Sequence, residues 1–217
     1  MTRSAGIFIA LEGIEGAGKT SQVAKLAERL RTLGREPVVV REPGGTAFAE
    51  ECRRLLLHAP YELTAAEEVF LFQAARADLV ARVIRPALER GAVVLADRFE
   101  LSTRCYQGAG RGLDPAQVRS AIGLATGGLE PDLYVVLDLP VAAGRARQAA
   151  QGKAPDKIER ADDDFHRTVA EAFRNAAGPN ILHLPADRPV DAVHETLWEA
   201  LAGRFPQPFA GAAGINR

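Results

Sequence analysis

The chain has 217 residues, 47% hydrophobic and 25% charged, which suits one α/β domain with a substantial core. Lys and Arg number 27 against 28 Asp and Glu, and the formal net charge of −1 gives no global basic field for binding nucleic acid. Two cysteines, Cys52 and Cys105, form neither a disulfide framework nor a zinc set; they fit a reducing, cytoplasmic setting, and no apolar run is long enough to span a membrane.

In chain order, residues 7–12 form an apolar run that reads as a buried first strand, and residues 21–33 follow as a helix ending near Gly34. A second strand is predicted over 37–41. Thr64 followed by Glu67 is a capping-box pattern opening a long helical stretch to about residue 90, with Pro86 expected to kink or interrupt it and Gly91 to end it. Further strands are predicted over 92–97, 133–138 and 181–184, with a helix opened by Asp114-Pro115 between the first two. Five near-continuous apolar strands alternating with helices imply a doubly wound parallel sheet covered on both faces, in a single domain over 1–217. The tail from about 204 to 217, rich in Pro and Gly, is expected to be loosely ordered. The charge-dense segment of about 150–164, with Lys153, Lys157, Arg160 and three aspartates, is expected to be a mobile lid over phosphates.

Between the first strand and the first helix, Gly13-Ile14-Glu15-Gly16-Ala17-Gly18-Lys19-Thr20 matches the G-x-x-x-x-G-K-[ST] phosphate loop, or P-loop, and Ser21 follows it. The glycines let backbone N–H groups wrap an anion at a helix N-terminus, Lys19 can reach the β- and γ-phosphates of ATP, and the Thr20 hydroxyl can meet Mg²⁺. The strand over 92–97 ends in Asp97-Arg98. In an open parallel sheet ligands bind beyond the carboxyl ends of the strands, so Asp97 is expected near the metal and Arg98 at a phosphate.

Four blocks, in order, resemble the bacterial thymidylate kinases over nearly the whole chain. They are Phe8-Ile9-Ala10-Leu11-Glu12-Gly13 leading into the P-loop, Arg41-Glu42-Pro43-Gly44-Gly45-Thr46, Leu71-Phe72-Gln73-Ala74-Ala75-Arg76, and Asp97-Arg98-Phe99-Glu100-Leu101-Ser102-Thr103 running through Tyr106-Gln107-Gly108 to Gly110-Arg111-Gly112. The resemblance implies a P-loop fold that transfers the γ-phosphoryl group of ATP to thymidine 5′-monophosphate (dTMP), with Mg²⁺, in a homodimer. It makes Phe72 the residue that stacks on thymine, Arg76 a donor to a thymine carbonyl, and Thr103 with Gln107 the readers of the base edge. Tyr106 is implied under the deoxyribose, and Arg98 with Arg53 on the acceptor phosphate. Glu15 falls near the sugar 3′-hydroxyl, and Glu42 and Pro43 line the same pocket. The i, i+4 spacing of Phe72 and Arg76 puts both on one helix face, which suits that pairing. Family members place an extra catalytic arginine either in the P-loop or in the lid. This P-loop has none, and the position matching the usual lid arginine is Lys157, so Lys157 or Arg160 is expected to supply the charge, with Arg147 and Lys153 nearby. Other nucleoside monophosphate kinases and P-loop regulatory proteins are the alternatives.

Overall fold

The computed structural model describes residues 6–150, 152 and 156–209. Five strands, β1 (Ile7–Glu12), β2 (Val38–Arg41), β3 (Val93–Asp97), β4 (Leu133–Asp138) and β5 (Ile181–Pro185), form one all-parallel sheet in the order β2-β3-β1-β4-β5. β1 pairs with β3 on one side and β4 on the other, from Ile7 opposite Val93 and Ile9 opposite Leu133. The chain order therefore reverses at β1, where the crevice of a doubly wound sheet opens. Successive side chains of a strand alternate between faces; β1 is nonetheless buried from Phe8 to Glu12, so helices cover both faces of the sheet centre. One continuous apolar core joins all five strands, with Phe8, Val40, Val94, Val135 and Leu184 each buried in it.

The α-helices among the described residues are α1 (Lys19–Thr32), α2 (Ala47–His58), α3 (Ala65–Leu79), α4 (Arg85–Glu89), α5 (Glu100–Thr103), α6 (Pro115–Thr126), α7 (Val141–Ala150), α8 (Asp163–Arg174), α9 (Val190–Arg204) and α10 (Pro206–Phe209). Thr64 and Glu67 close the expected capping box at α3 through Thr64 N–H to Glu67 Oε2 at 2.7 Å and Glu67 N–H to Thr64 Oγ1 at 3.3 Å. The α-helix is interrupted just before Pro86, as its sequence predicts. A π-helical turn, Val80–Ile84, runs straight from α3 into α4 and leaves Pro86 in a first turn, where its missing N–H costs little. At α6, Asp114 Oδ1 accepts from Ala116 N and Gln117 N, with Pro115 in the first position, as its sequence predicts.

Two expectations change. The charged segment is not one loop: Asp162 caps α8 through Phe165 N at 2.8 Å, so α8 begins inside the expected lid, and 157–160 form turns. Lys153 lies outside the described residues. The tail is ordered further than its Pro and Gly content suggested, because α10 carries Phe209 against Trp198, with ring centroids 5.2 Å apart. Residues 210–217 lie outside the described residues.

Candidate active site

A cavity of about 720 Å³ opens beyond the carboxyl ends of β1, β2 and β3. Of the sequence-predicted residues it gathers Glu15, Gly16, Lys19, Thr20, Glu42, Pro43, Arg53, Phe72, Arg76, Asp97, Arg98, Thr103, Tyr106 and Gln107. The rest of the P-loop acts through its backbone. Gly13 holds φ 132°, and a Cβ there would meet Leu137 O at 2.7 Å; Gly16 holds φ 74° against the backbone of Gly144. Gly18 is the left-handed N-cap of α1, Ile14 and Ala17 are buried in the core, and Ser21 is exposed in the first turn of α1.

Lys19 is buried inside the loop, its Nζ donating to Gly13 O at 3.0 Å and Ile14 O at 2.7 Å. Burial, and then the neighbouring Arg98, lower its pKa to about 8. Thr20 Oγ1 donates to Asp97 Oδ2 at 2.5 Å, so a hydroxyl and a carboxylate sit together at the mouth of the loop. Hard oxygen donors of this kind suit Mg²⁺, which keeps several waters and phosphate oxygens in its shell. Among the described residues no group of three or more His, Cys, Asp or Glu could hold a metal ion.

Arg98 is the hub of the P-loop end of the cavity. It is the one non-glycine residue at positive φ (73°) among the described residues, a conformation that costs roughly 1–2 kcal/mol. Its Nη1 donates to Gly13 O and Ser102 Oγ, and its Nη2 to Glu15 Oε1 at 2.9 Å. Tyr106 donates its hydroxyl to the same Glu15 oxygen at 2.6 Å. Burial disfavours charge on Glu15, but Arg98, Lys19 and Tyr106 outweigh it and hold the carboxyl below its ordinary range. Behind Arg98, the fully buried Glu12 accepts from Phe99 N at 2.8 Å and Ser102 Oγ at 2.6 Å, which anchors the chain just after the strained bend. Burial pushes Glu12 up to about 7, against the pull of Ser102 and Arg98. Glu12 lay in a quoted sequence block, but its position one residue before the loop carried no sign of this supporting role. Arg53, half-buried, donates Nη1 to Pro43 O at 2.8 Å and makes no ion pair among the described residues.

The other end of the cavity is built differently. Arg76, 1% exposed, donates Nε and Nη2 to Glu42, Nη1 to Gln73 Oε1 at 2.7 Å, and Nη2 to Thr103 Oγ1 at 3.1 Å. Glu42, likewise buried, is pushed above the carboxylate range by burial despite the countering pull of Arg76. Phe72 is partly buried beside them, with one side on the core and the cavity on the other.

The lid cations fall elsewhere. Lys157 Nζ donates to Tyr61 O and lies 3.6 Å from Glu62 Oε1, tying the turn to the α2–α3 loop. Arg160 is exposed, and neither residue lines the cavity. Arg147 donates to Gly16 O at 3.3 Å and Ala186 O at 2.9 Å, bracing the loop from α7. The cation that α7 does bring to the cavity is Arg145, paired with Asp163 Oδ1 at 2.6 Å on the protein surface. Sequence reasoning missed it. The signal was available in the helical spacing of Arg145, Gln148 and Ala149, all three of which line the cavity.

Among the described residues no helix is long and apolar enough to cross a membrane. The family model described as thymidylate kinase matches residues 11–197. The chain is 46% identical over 204 residues to the thymidylate kinase of Deinococcus radiodurans, covering 93% of this chain and 98% of that protein. It is 49% identical over 196 residues to that of Pseudomonas fluorescens, covering 88% and 93%, and 46% identical over 209 residues to that of a Synechococcus species, covering 94% and 98%. With the family match covering residues 11–197, relatives at 46–49% identity over nearly their whole length, and a P-loop opening into one cavity of an all-parallel sheet, the chain belongs to the thymidylate kinase family.

Proposed function

We propose that this protein transfers the γ-phosphoryl group of ATP to dTMP, giving dTDP and ADP for dTTP synthesis, and that residues 1–217 act as one kinase domain. The observation that carries this reading is the single cavity joining the P-loop to a second set of arginines, Arg98 and Arg53, with an aromatic and polar pocket beyond them. A nucleotide-dependent switch needs no second phosphate site, and an ATPase needs no base pocket at the acceptor end.

In this reading the P-loop N–H groups and Lys19 hold the β- and γ-phosphates. Arg98 and Arg53 grip the dTMP phosphate, whose oxygen attacks the γ-phosphorus in line. The bond from that phosphorus to the β,γ-bridging oxygen breaks, and the electron pair leaves with ADP. The attacking oxygen is already anionic, so no general base is required, and alignment and charge neutralisation supply the catalysis. Thr20 and Asp97 would hold Mg²⁺, which neutralises phosphate charge when bound. Glu15 and Tyr106 face the acceptor sugar, Glu42 and Pro43 wall the pocket, and Phe72 stacks on thymine. Arg76, Thr103 and Gln107 read the base edge. Arg145, rather than Lys157 or Arg160, carries the lid charge; Lys157 fastens the lid turn to the α2–α3 loop. A homodimer through α2, α3 and α6 is supported by the outward-facing Phe48, Phe70 (70% exposed) and Leu124 (89% exposed) on three successively packed helices. The work of the enzyme is placed in the cytoplasm.

The test is ADP release from ATP and Mg²⁺ with nucleoside monophosphates offered one at a time. Rapid release with dTMP, slower with dUMP and negligible with purine acceptors supports the reading. Equal release with no acceptor present contradicts it.

A further inference from the structure

Gln107 lines the cavity at its base end, yet its amide is not free to turn. Its Nε2 donates to Glu68 Oε2 at 3.0 Å, from the π-helical turn Arg104–Gly110 across to α3. Glu68 is 6% exposed and Gln107 1% exposed. Arg111 fixes the same carboxylate, with Nη2 to Oε1 at 2.8 Å and Nε to Oε2 at 3.3 Å, and its guanidinium lies 4.7 Å over the Phe165 ring. An ionised carboxylate can only accept hydrogen bonds. Whatever faces Glu68 must donate, so the Gln107 amino group is held on that side and its Oε1 is left for the cavity. Among the described residues Oε1 has no protein partner.

Building on the acceptor pocket proposed above, we infer that Glu68 is a specificity-determining positioning residue: by locking the Gln107 amide it presents a fixed acceptor to the ligand, which selects pyrimidines carrying an N3–H over cytosine. Thymine and uracil have a donor at N3 flanked by carbonyls. Cytosine has a lone pair at N3 beside an amino group. An amide oxygen pairs with the first edge and repels the second. Arg76 completes the polarity from the other side. With Glu42 and Gln73 taking most of its donors, it can offer the ligand only a further N–H, which suits a carbonyl and not an amino group. A site whose buried polar groups are matched to one edge rejects the mismatched edge far more strongly than a site that differs by one methyl.

The experiment is kcat/KM for dTMP and for dCMP in the wild type, Glu68→Gln and Arg111→Met, with KM for ATP and the thermal midpoint alongside. In Glu68→Gln the Arg111 donors claim the only remaining oxygen, the new amino group faces Gln107, and the Gln107 amide turns its own amino group to the ligand. The dTMP-to-dCMP ratio should fall at least ~10-fold, with dTMP losing and dCMP gaining, while KM for ATP stays constant. A merely structural role would lower both substrates together and leave the ratio intact, which would overturn the inference. Arg111→Met removes the guanidinium but keeps the carboxylate, so the ratio should stay within ~3-fold of wild type even where the thermal midpoint drops. A tenfold loss there would equally overturn it, which keeps the inference falsifiable if Glu68→Gln does not fold. Failure of the wild type to turn over dTMP at all would refute the functional reading, whereas an unaltered ratio in an active Glu68→Gln enzyme would refute this inference alone.

Discussion

The two ends of the cavity use charge in opposite ways. At the P-loop end, Lys19, Arg98 and Arg53 spend donors on backbone carbonyls, Gly13 O, Ile14 O and Pro43 O; Arg98 also pairs with Glu15, and Arg53 has no carboxylate partner among the described residues. A neutral carbonyl is a weak competitor for a cation, so an incoming phosphate can take over those donors. At the other end, Arg76 is matched to Glu42 and Glu68 to Arg111; Arg76, Glu42 and Glu68 are largely removed from water, whereas the Arg111 side chain stays 31% exposed. Pairing there neutralises charge and freezes geometry, leaving single, directed hydrogen-bonding atoms for the base. In the proposed function, cations held mainly by carbonyls at one end would provide affinity for anions, and ions locked in pairs at the other would provide selectivity for an uncharged edge.

Substitutions can separate these two functions. The largest effect is expected from Lys19→Ala, which should lower kcat by at least ~10³-fold with the circular dichroism spectrum unchanged, because it removes a charge directed at the transferring group. Near-normal turnover would take the P-loop out of the mechanism. Phe72→Ala acts at the opposite end and should raise KM for dTMP by ~10- to 100-fold, the worth of one base–aromatic stack, while KM for ATP holds. Equal changes in both constants would break the division between the ends. Among the lid cations, Arg145→Ala should reduce kcat by about tenfold and exceed Lys157→Ala and Arg160→Ala, since a screened, partly exposed charge contributes on the order of 1 kcal/mol. A larger loss at Lys157 would return the lid charge to that residue.

The smallest effect concerns stability. The folded pKa of Glu12, about 7, lies above its ordinary value of 4.5 because the carboxyl is buried. The folded state therefore favours its protonated form, and that contribution is present below pH 4.5 and lost as pH rises through about 7. The wild-type thermal midpoint should consequently decline relative to Glu12→Gln across that window, on the order of 5 °C. Parallel midpoints from pH 4.5 to 8 would mean that Glu12 is ionised at little cost.

Strands and P-loop were legible in the sequence because local signals dictate them: continuous apolar runs, glycines with positive φ, and the lysine at the helix start. The capping box at Thr64 and Glu67 was equally local. What escaped depended on distance along the chain. Pro86 marked the interruption, but no pattern in 80–84 announces that it takes the form of a π-helical turn. Lys157 occupies the position of a lid cation, yet its partner is the carbonyl of Tyr61, 96 residues away. Arg145 and Glu68 looked like ordinary charges on helix faces, and only the packing of α7 over the loop and of α3 beside the π-helical turn gives them a place in the site. The resemblance to a family supplied Phe72, Arg76, Thr103 and Gln107; the buried carboxylates that set the orientation of two of them became visible only in three dimensions.

The most direct test of the division between the ends is the dTMP-to-dCMP ratio of kcat/KM in Arg53→Ala beside the wild type. Losing a charged contact to phosphate should lower both values by ~10- to 100-fold, because the two acceptors carry the same phosphate, and leave the ratio unchanged. A ratio that shifts with Arg53 would contradict the account, since the phosphate end would then be taking part in the choice of base.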